Sequence, residues 1–181
     1  GHACQLEQTR LAGATHIVAV MSGSFVQRGE TAIFSSRARA KAALLGGADL
    51  VIELPLPWAM SRAQTFARGG VALLDALGVC SGISFGSECA DTRLLIKSAG
   101  ILGGKEINDL IKDELSSGIS FAAARENALR RICPECAEIL TNPNDTLAVE
   151  YICAVNELGT SLQPMAIKRV GAMHGDTEPR D

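Results

Sequence analysis

The chain has 181 residues, of which 47% are hydrophobic and 20% are charged, a balance typical of a folded protein rather than a disordered one. Its 17 basic and 20 acidic residues give a formal net charge of −3, so overall charge does not indicate nucleic-acid binding, although it does not exclude a local basic surface. The apolar runs are too short to span a bilayer and we expect no secretory leader, which predicts a cytoplasmic protein with reduced thiols and no membrane partner.

The first half of the chain alternates predicted helices with short apolar strands. The predicted order is a helix over 2–12, a strand over 16–21, a helix from Ser35-Ser36 through Leu45, a strand over 49–54, a helix over 62–77 and a strand over 82–85. Continuous apolar strands separated by helices are typical of an α/β fold, with a parallel sheet and helices on both faces.

The second half is predicted to be mainly helical. Residues 91–133 carry a helical pattern that Ser117-Gly118 interrupts, and a turn over 141–145 precedes a predicted helix over 146–158. Residues 164–170 form one more predicted strand, and 173–181 are polar and without pattern.

Three polar loops follow the three predicted strands of the first half. They cover 22–30 (SGSFVQRGE), 53–57 (ELPLP) and 86–88 (GSE). In parallel sheets ligands bind beyond the carboxyl ends of the strands, so the three loops predict one ligand site, of the kind that binds a nucleotide. The alternatives are a solvated strand-to-helix loop for the first, a rigid exit from the sheet for Leu54–Pro57, and a simple turn for the third.

Other polar residues have a ligand-binding and a plain interpretation. His2 at a helix start can donate to a phosphate beside free backbone N–H groups, or it can be an exposed terminal residue. The 142–145 turn can bind a ligand or only cap a helix, and the Lys168-Arg169 pair can face a triphosphate or solvent. We interpret Arg37, Arg39 and Lys41 as a solvated helix face rather than a nucleic-acid contact.

The six cysteines are irregularly spaced. Cys133 and Cys136 form a CxxC pair, but a four-ligand zinc site needs two more soft ligands, and no second CxxC or paired histidines follow. We interpret them as incidental cysteines. No Ser/His/Asp or Cys/His pattern indicates a covalent nucleophile.

Taken together, several segments carry a family resemblance. The segments are GH at the start, VAVMSGSFVQRGE, GADLVIELPLPWA, FARGGVALLDALGV, FGSE, NPNDTLAVEY and IKRVGA, in this order. They resemble the bacterial tRNA(Met) cytidine acetate ligases, which belong to the HxGH nucleotidylyltransferase-like superfamily. The resemblance covers nearly the whole chain and is weakest over 91–136.

The resemblance implies a Rossmann-like fold and a reaction. Such a ligase activates acetate with ATP to acetyl-adenylate and transfers the acetyl group to the wobble cytidine of elongator tRNA(Met), giving N4-acetylcytidine. Mg2+ is expected on the triphosphate. The implied organisation is an ATP-binding core over 1–90, a helical segment over 91–140, and over 141–181 a return to the core and the start of a tRNA-binding region.

The resemblance also implies roles for five residues. His2 matches the second histidine of HxGH, expected on the ATP phosphates and in catalysis, and Arg28 lies in the signature loop with a catalytic role. Gly86 matches the glycine at the adenosine, Asn144 a nucleotide-binding asparagine, and Arg169 an arginine on the phosphates.

Departures from the family pattern give further expectations. The first strand and first histidine of HxGH would precede position 1, so we expect about fifteen more N-terminal residues, including a central strand, and poor activity without them. A C-terminal region that helps to hold tRNA is expected to follow, and Asp145 replaces an asparagine. The alternative functions are a small-molecule nucleotidylyltransferase and a non-catalytic nucleotide- or RNA-binding module.

Overall fold

The computed structural model describes residues 2–27 and 29–169. They form a mixed α/β fold with parallel strands and helices on both faces, which confirms the predicted fold class. The elements in chain order are α1 (His2–Leu11), β1 (Val18–Ser22), α2 (Ser36–Leu45), β2 (Leu50–Leu54), α3 (Leu56–Ala59), α4 (Ala63–Ala76), β3 (Gly82–Ser87), α5 (Thr92–Leu102), α6 (Lys105–Ser116), α7 (Phe121–Ile132), α8 (Pro134–Ile139), α9 (Pro143–Leu158) and β4 (Gln163–Lys168).

The strands pair in two parallel sets. β1 pairs with β2, with Val18 opposite Leu50, and β3 pairs with β4, with Gly82 opposite Gln163. We expected the strands to belong to one sheet, but within 2–27 and 29–169 β1 and β3 are not hydrogen-bonded to each other. The parallel direction was therefore predicted correctly.

Local sequence accounts for most element boundaries. Ser35 caps α2, because its Oγ accepts a hydrogen bond from the backbone N–H of Ala38 at 3.3 Å. α9 begins at Pro143, three residues before the predicted start, because proline is well suited to the first turn of a helix. The short helices α3 and α8, which we did not predict, also contain a proline in their first turn.

The main hydrophobic core lies around α4, β3 and the helices α5 to α9. It includes Val71, Phe85, Leu95, Leu129 and Ile152, each almost completely buried. The helical segment thus packs into the same core as β3, and the domain boundaries at 90 and 140 stay predictions. By contrast, α2 has no buried residue and every residue of β1 is only half-buried.

One ion pair lies inside the protein. Arg125 on α7 donates to the carboxylate of Glu150 on α9, and the Glu150 side chain is only 4% exposed. Among the described residues, no helix is both long enough and apolar enough to cross a bilayer.

Candidate functional site

A cavity of about 1180 Å³ lies between β1 and β3 and extends along α1. It exceeds the roughly 300–1,000 Å³ of a usual ligand pocket because it includes the gap between the two strand pairs. Four of the five residues with predicted roles line it: His2, Gly86, Asn144 and Arg169. The fifth, Arg28, lies outside the described residues, although the preceding Gln27 lines the same cavity.

Gly86 and Arg169 lie side by side at the ends of β3 and β4. The backbone N–H of Arg169 donates to the carbonyl oxygen of Ser87 at 3.0 Å, which extends the pairing of the two strands. A Cβ atom at Gly86 would lie 3.3 Å from Cγ of Arg169, closer than an ordinary contact. The absence of a side chain at Gly86 therefore lets the arginine cross the strand toward the cavity.

Asn144 is held between a cation and an anion. Its Oδ1 accepts from Nη1 of Arg169 at 2.8 Å, and its Nδ2 donates to Oε1 of Glu88 at 2.5 Å. Both ends of the amide are engaged, so its orientation follows from its two partners. Arg169 has further N–H groups beyond this bond, which suit a phosphate oxygen.

Asp145 has a structural role that we did not predict from the sequence. It is completely buried, and its carboxylate accepts hydrogen bonds from Ser87 Oγ and from the backbone N–H groups of Glu88 (2.9 Å) and Cys89 (3.1 Å). Asn142 precedes α9 as expected of a cap residue, but its Nδ2 donates to Asp145 at 3.1 Å and its side chain makes no capping bond. Asn142 and the first turn of α9 thus hold the loop after β3 in place.

Glu88, in the loop after β3, accepts hydrogen bonds from the first turn of α9. One of its carboxylate oxygens accepts from Asn144, and the other accepts from the backbone N–H of Asp145 at 2.9 Å. The loop after β3 and the first turn of α9 therefore hold each other through two carboxylates. Nothing in the sequence alone indicated this contact.

α1 is attached to β3 and brings His2 to the cavity. Gln5 Nε2 donates to the carbonyl oxygen of Ser84 at 3.2 Å, and the hydroxyls of Thr9 and Ser84 are 2.7 Å apart. His2, in the first turn, is exposed at the cavity.

Arg39 does not have the position that we predicted. Instead of facing only solvent, its Nη2 donates to the carbonyl oxygens of Ser22, at 2.8 Å, and Gly23. It also lines the cavity. The sequence placed Arg39 on a helix, but it could not show that β1 ends within reach of the long arginine side chain.

Comparison with known proteins assigns the family. The sequence model described as HIGH Nucleotidyl Transferase matches residues 1–181, the whole chain. The chain belongs to the HIGH nucleotidyl transferase family. Curated relatives of this chain include the tRNA(Met) cytidine acetate ligases of Caldicellulosiruptor saccharolyticus, 44% identical over 97% of this chain, and of Thermoanaerobacter sp. (strain X514), 44% identical over 98%.

Solved structures of Thermotoga maritima TmcAL have the same fold as this chain. The apo form superposes with a TM-score of 0.93 at 40% identity, covering 99% of this chain and 44% of that one. The form bound with alpha-thio ATP superposes with a TM-score of 0.90 at 40% identity, covering 94% and 43%. The chain spans only 44% and 46% of the length of the two curated relatives above.

The cavity suits a polyanion. Arg39, Lys168 and Arg169 line it, and no aspartate or glutamate is among the described residues that do so. Burial raises the pKa of Tyr151, another lining residue, to about 12, further above physiological pH, at which a phenol is already neutral. With no carboxylate among those lining residues, the donor set does not fit a resident Mg2+ site, because protein-bound Mg2+ usually has one or two carboxylate ligands.

Proposed function

We propose that the protein is an ATP-dependent acetate ligase that forms acetyl-adenylate and acetylates the wobble cytidine of elongator tRNA(Met) to N4-acetylcytidine. The observation that carries the proposal is the meeting of His2, Gly86, Asn144 and Arg169 at one cavity. The names of the curated relatives and the binding of alpha-thio ATP by the Thermotoga maritima protein also support it.

In this proposal ATP lies across the ends of β3 and β4. The adenosine packs against the bare backbone of Gly86, where a side chain would crowd Arg169. Arg169 and His2 donate to the phosphates, and Asn144 holds Arg169 in position while it contacts the nucleotide. Mg2+ accompanies the triphosphate on phosphate oxygens, and we assign it no protein ligand.

The chemistry has two steps. An oxygen of acetate attacks the α-phosphorus of ATP and pyrophosphate leaves, giving acetyl-adenylate. The N4 amine of cytidine then attacks the acyl carbon, AMP leaves and the amine loses a proton. His2 and Arg28 act by donating hydrogen bonds to oxygens on which negative charge develops, while bound reactants are held in position, so no covalent protein nucleophile is required.

The division of labour along the chain is part of the proposal. Residues 1–90 and 141–169 supply the ATP site, and 91–140 support it by packing against β3 and α9. We place the reaction in the cytoplasm, where ATP and tRNA meet, in agreement with six cysteines that are all free thiols.

An ATP-binding measurement tests the site. Replacing Arg169 with methionine removes a charged donor, and we expect ATP affinity to fall about 10- to 100-fold, the effect of one charge-assisted hydrogen bond. Arg93→Met is the matched control, because Arg93 is exposed on α5 and does not line the cavity. Equal ATP affinity in the two variants would contradict the assigned role of Arg169.

A reaction assay tests the activity. The gene product that contains residues 1–181 is incubated with ATP, labelled acetate and elongator tRNA(Met). Label in N4-acetylcytidine, with AMP formed only when acetate is present, is the expected result. Pyrophosphate exchange that depends on a phosphorylated metabolite would favour a small-molecule nucleotidylyltransferase, and ATP binding without AMP formation would favour a non-catalytic module.

A further inference from the structure

Two thiols and a carboxylate meet at the junction of α7 and α8, away from the cavity. Cys133 joins the two helices, and Glu135 and Cys136 lie in α8. The two Sγ atoms and a carboxylate oxygen all lie within 4.8 Å of one another. Both cysteines are buried, whereas Glu135 is exposed, so the cluster opens to solvent on one side.

A lysine from another helix holds the carboxylate. Lys97 on α5 donates to Oε1 of Glu135 at 2.5 Å, and the Cys133 thiol lies 3.6 Å from the same oxygen. The second carboxylate oxygen, Oε2, is in none of these contacts, and its lone pairs are available to another partner.

The charges in this cluster suit a divalent cation. Two thiolates and one carboxylate carry three negative charges, which a divalent cation and the Lys97 ammonium together neutralise. A hydrogen bond from outside to a metal-binding carboxylate is also the usual way in which proteins orient such a ligand.

We propose that Cys133 Sγ, Cys136 Sγ and a carboxylate oxygen of Glu135 bind a thiophilic divalent cation of the zinc type, with water as the fourth ligand and Lys97 orienting Glu135. Zinc–sulfur bonds of about 2.3 Å in a tetrahedron place two sulfurs roughly 3.8 Å apart, so ligand atoms that lie within 4.8 Å of one another need to approach by at most about 1 Å, which side-chain rotation can supply. The bound cation links α8 to α5 through Lys97. Binding releases the thiol protons, and the proposal does not depend on the proposed ligase activity.

The earlier interpretation of these cysteines as incidental rested on the need for two further soft ligands. The structure offers a carboxylate from between the two cysteines, and a supporting lysine 38 residues earlier in the chain. Neither forms a zinc motif in the sequence.

Cobalt(II) provides the test, because its thiolate complexes absorb in the near ultraviolet by charge transfer. Reduced protein is titrated with Co2+ and then with Zn2+, which should displace it. We expect the band in the native protein and in Cys80→Ser, a control at a half-buried cysteine outside the cluster, and its loss in the Cys133→Ser/Cys136→Ser variant. No band in the native protein, or an unchanged band in the double variant, would overturn the proposal.

Two variants keep the test decisive if the double variant does not fold. Glu135 and Lys97 side chains are 63% and 53% exposed, so Glu135→Gln and Lys97→Met should leave the fold intact. We expect Co2+ affinity to fall about 10- to 100-fold in the first, which loses the charge of a ligand, and by less in the second, because weaker repulsion of the cation offsets part of the lost orientation. Native affinity in Glu135→Gln would refute the assignment of Glu135 as a ligand, and a Cys133–Cys136 disulfide in protein purified without oxidant would replace the metal site by a redox pair.

Discussion

Replacing Asp145 with alanine should be among the most damaging single changes in this protein. The change strips an acceptor from four donors: the Ser87 hydroxyl, the backbone N–H groups of Glu88 and Cys89, and the Asn142 amide. A buried donor without a partner costs about 1–3 kcal/mol. Ser87 is completely buried and takes the full penalty, whereas the other three are half-buried and can partly regain water. Alanine also removes the cost of burying the Asp145 carboxylate, which offsets part of this loss. We therefore expect the free energy of unfolding to fall by about 3–5 kcal/mol in total.

Urea unfolding measures this loss directly. With a slope of about 2 kcal/mol per molar urea, the midpoint should fall by about 2 M while the slope stays unchanged. Asp145→Asn keeps one acceptor oxygen for Ser87 and Glu88 and should lose only about 1–2 kcal/mol. Asp113→Ala, at an exposed position on α6, is the matched control. A loss below about 1 kcal/mol in Asp145→Ala, equal to that control, would refute the reasoning.

Three further predictions concern other contacts. Arg125→Met leaves the buried carboxylate of Glu150 without its partner and should cost about 3–5 kcal/mol in urea unfolding, most of which methionine at both positions should restore. Gly69→Ala places a Cβ atom 2.5–2.7 Å from the side chain of Trp58, the single tryptophan. Although alanine is the better helix former, this crowding should destabilise the protein by about 1–3 kcal/mol and shift the tryptophan fluorescence. Unchanged emission and stability would contradict the packing. The pKa of Asp49 lies below its ordinary 3.8, mainly because the backbone N–H of Ile17 donates to its carboxylate and secondly because Arg10 does. The stability deficit of Asp49→Asn should therefore be constant at neutral pH and disappear as pH falls from 3.8 through the lowered value. A deficit that does not change with pH would exclude this linkage.

The fold was predictable where the decisive interactions are local. Ser35 caps α2, a glycine pair follows its end, and apolar runs placed all four strands within a few residues. Which strands are hydrogen-bonded to each other could not be predicted from single segments, because each pairing joins segments far apart in the chain.

The candidate site shows the same division. Its members could be named from motifs, and the structure brings His2, Gly86, Asn144 and Arg169 to one cavity, while their binding roles stay predictions. The supporting contacts were missed. The letters NPND do not show that Asp145 accepts hydrogen bonds from a loop 56–58 residues earlier, since a buried acceptor and a solvated helix cap have the same sequence.

The separation of β1–β2 from β3–β4 has a consequence for how the molecule opens. β1 and α2 have no buried residue and contribute little to the main core, so their amide hydrogens should exchange with solvent at a lower free energy than those of β3 and α9. A ligand that contacts both strand pairs would slow hydrogen exchange most in the less stable pair, β1–β2. Protection factors along β1 would then report occupancy of the cavity, even for a ligand that mostly contacts β3 and β4.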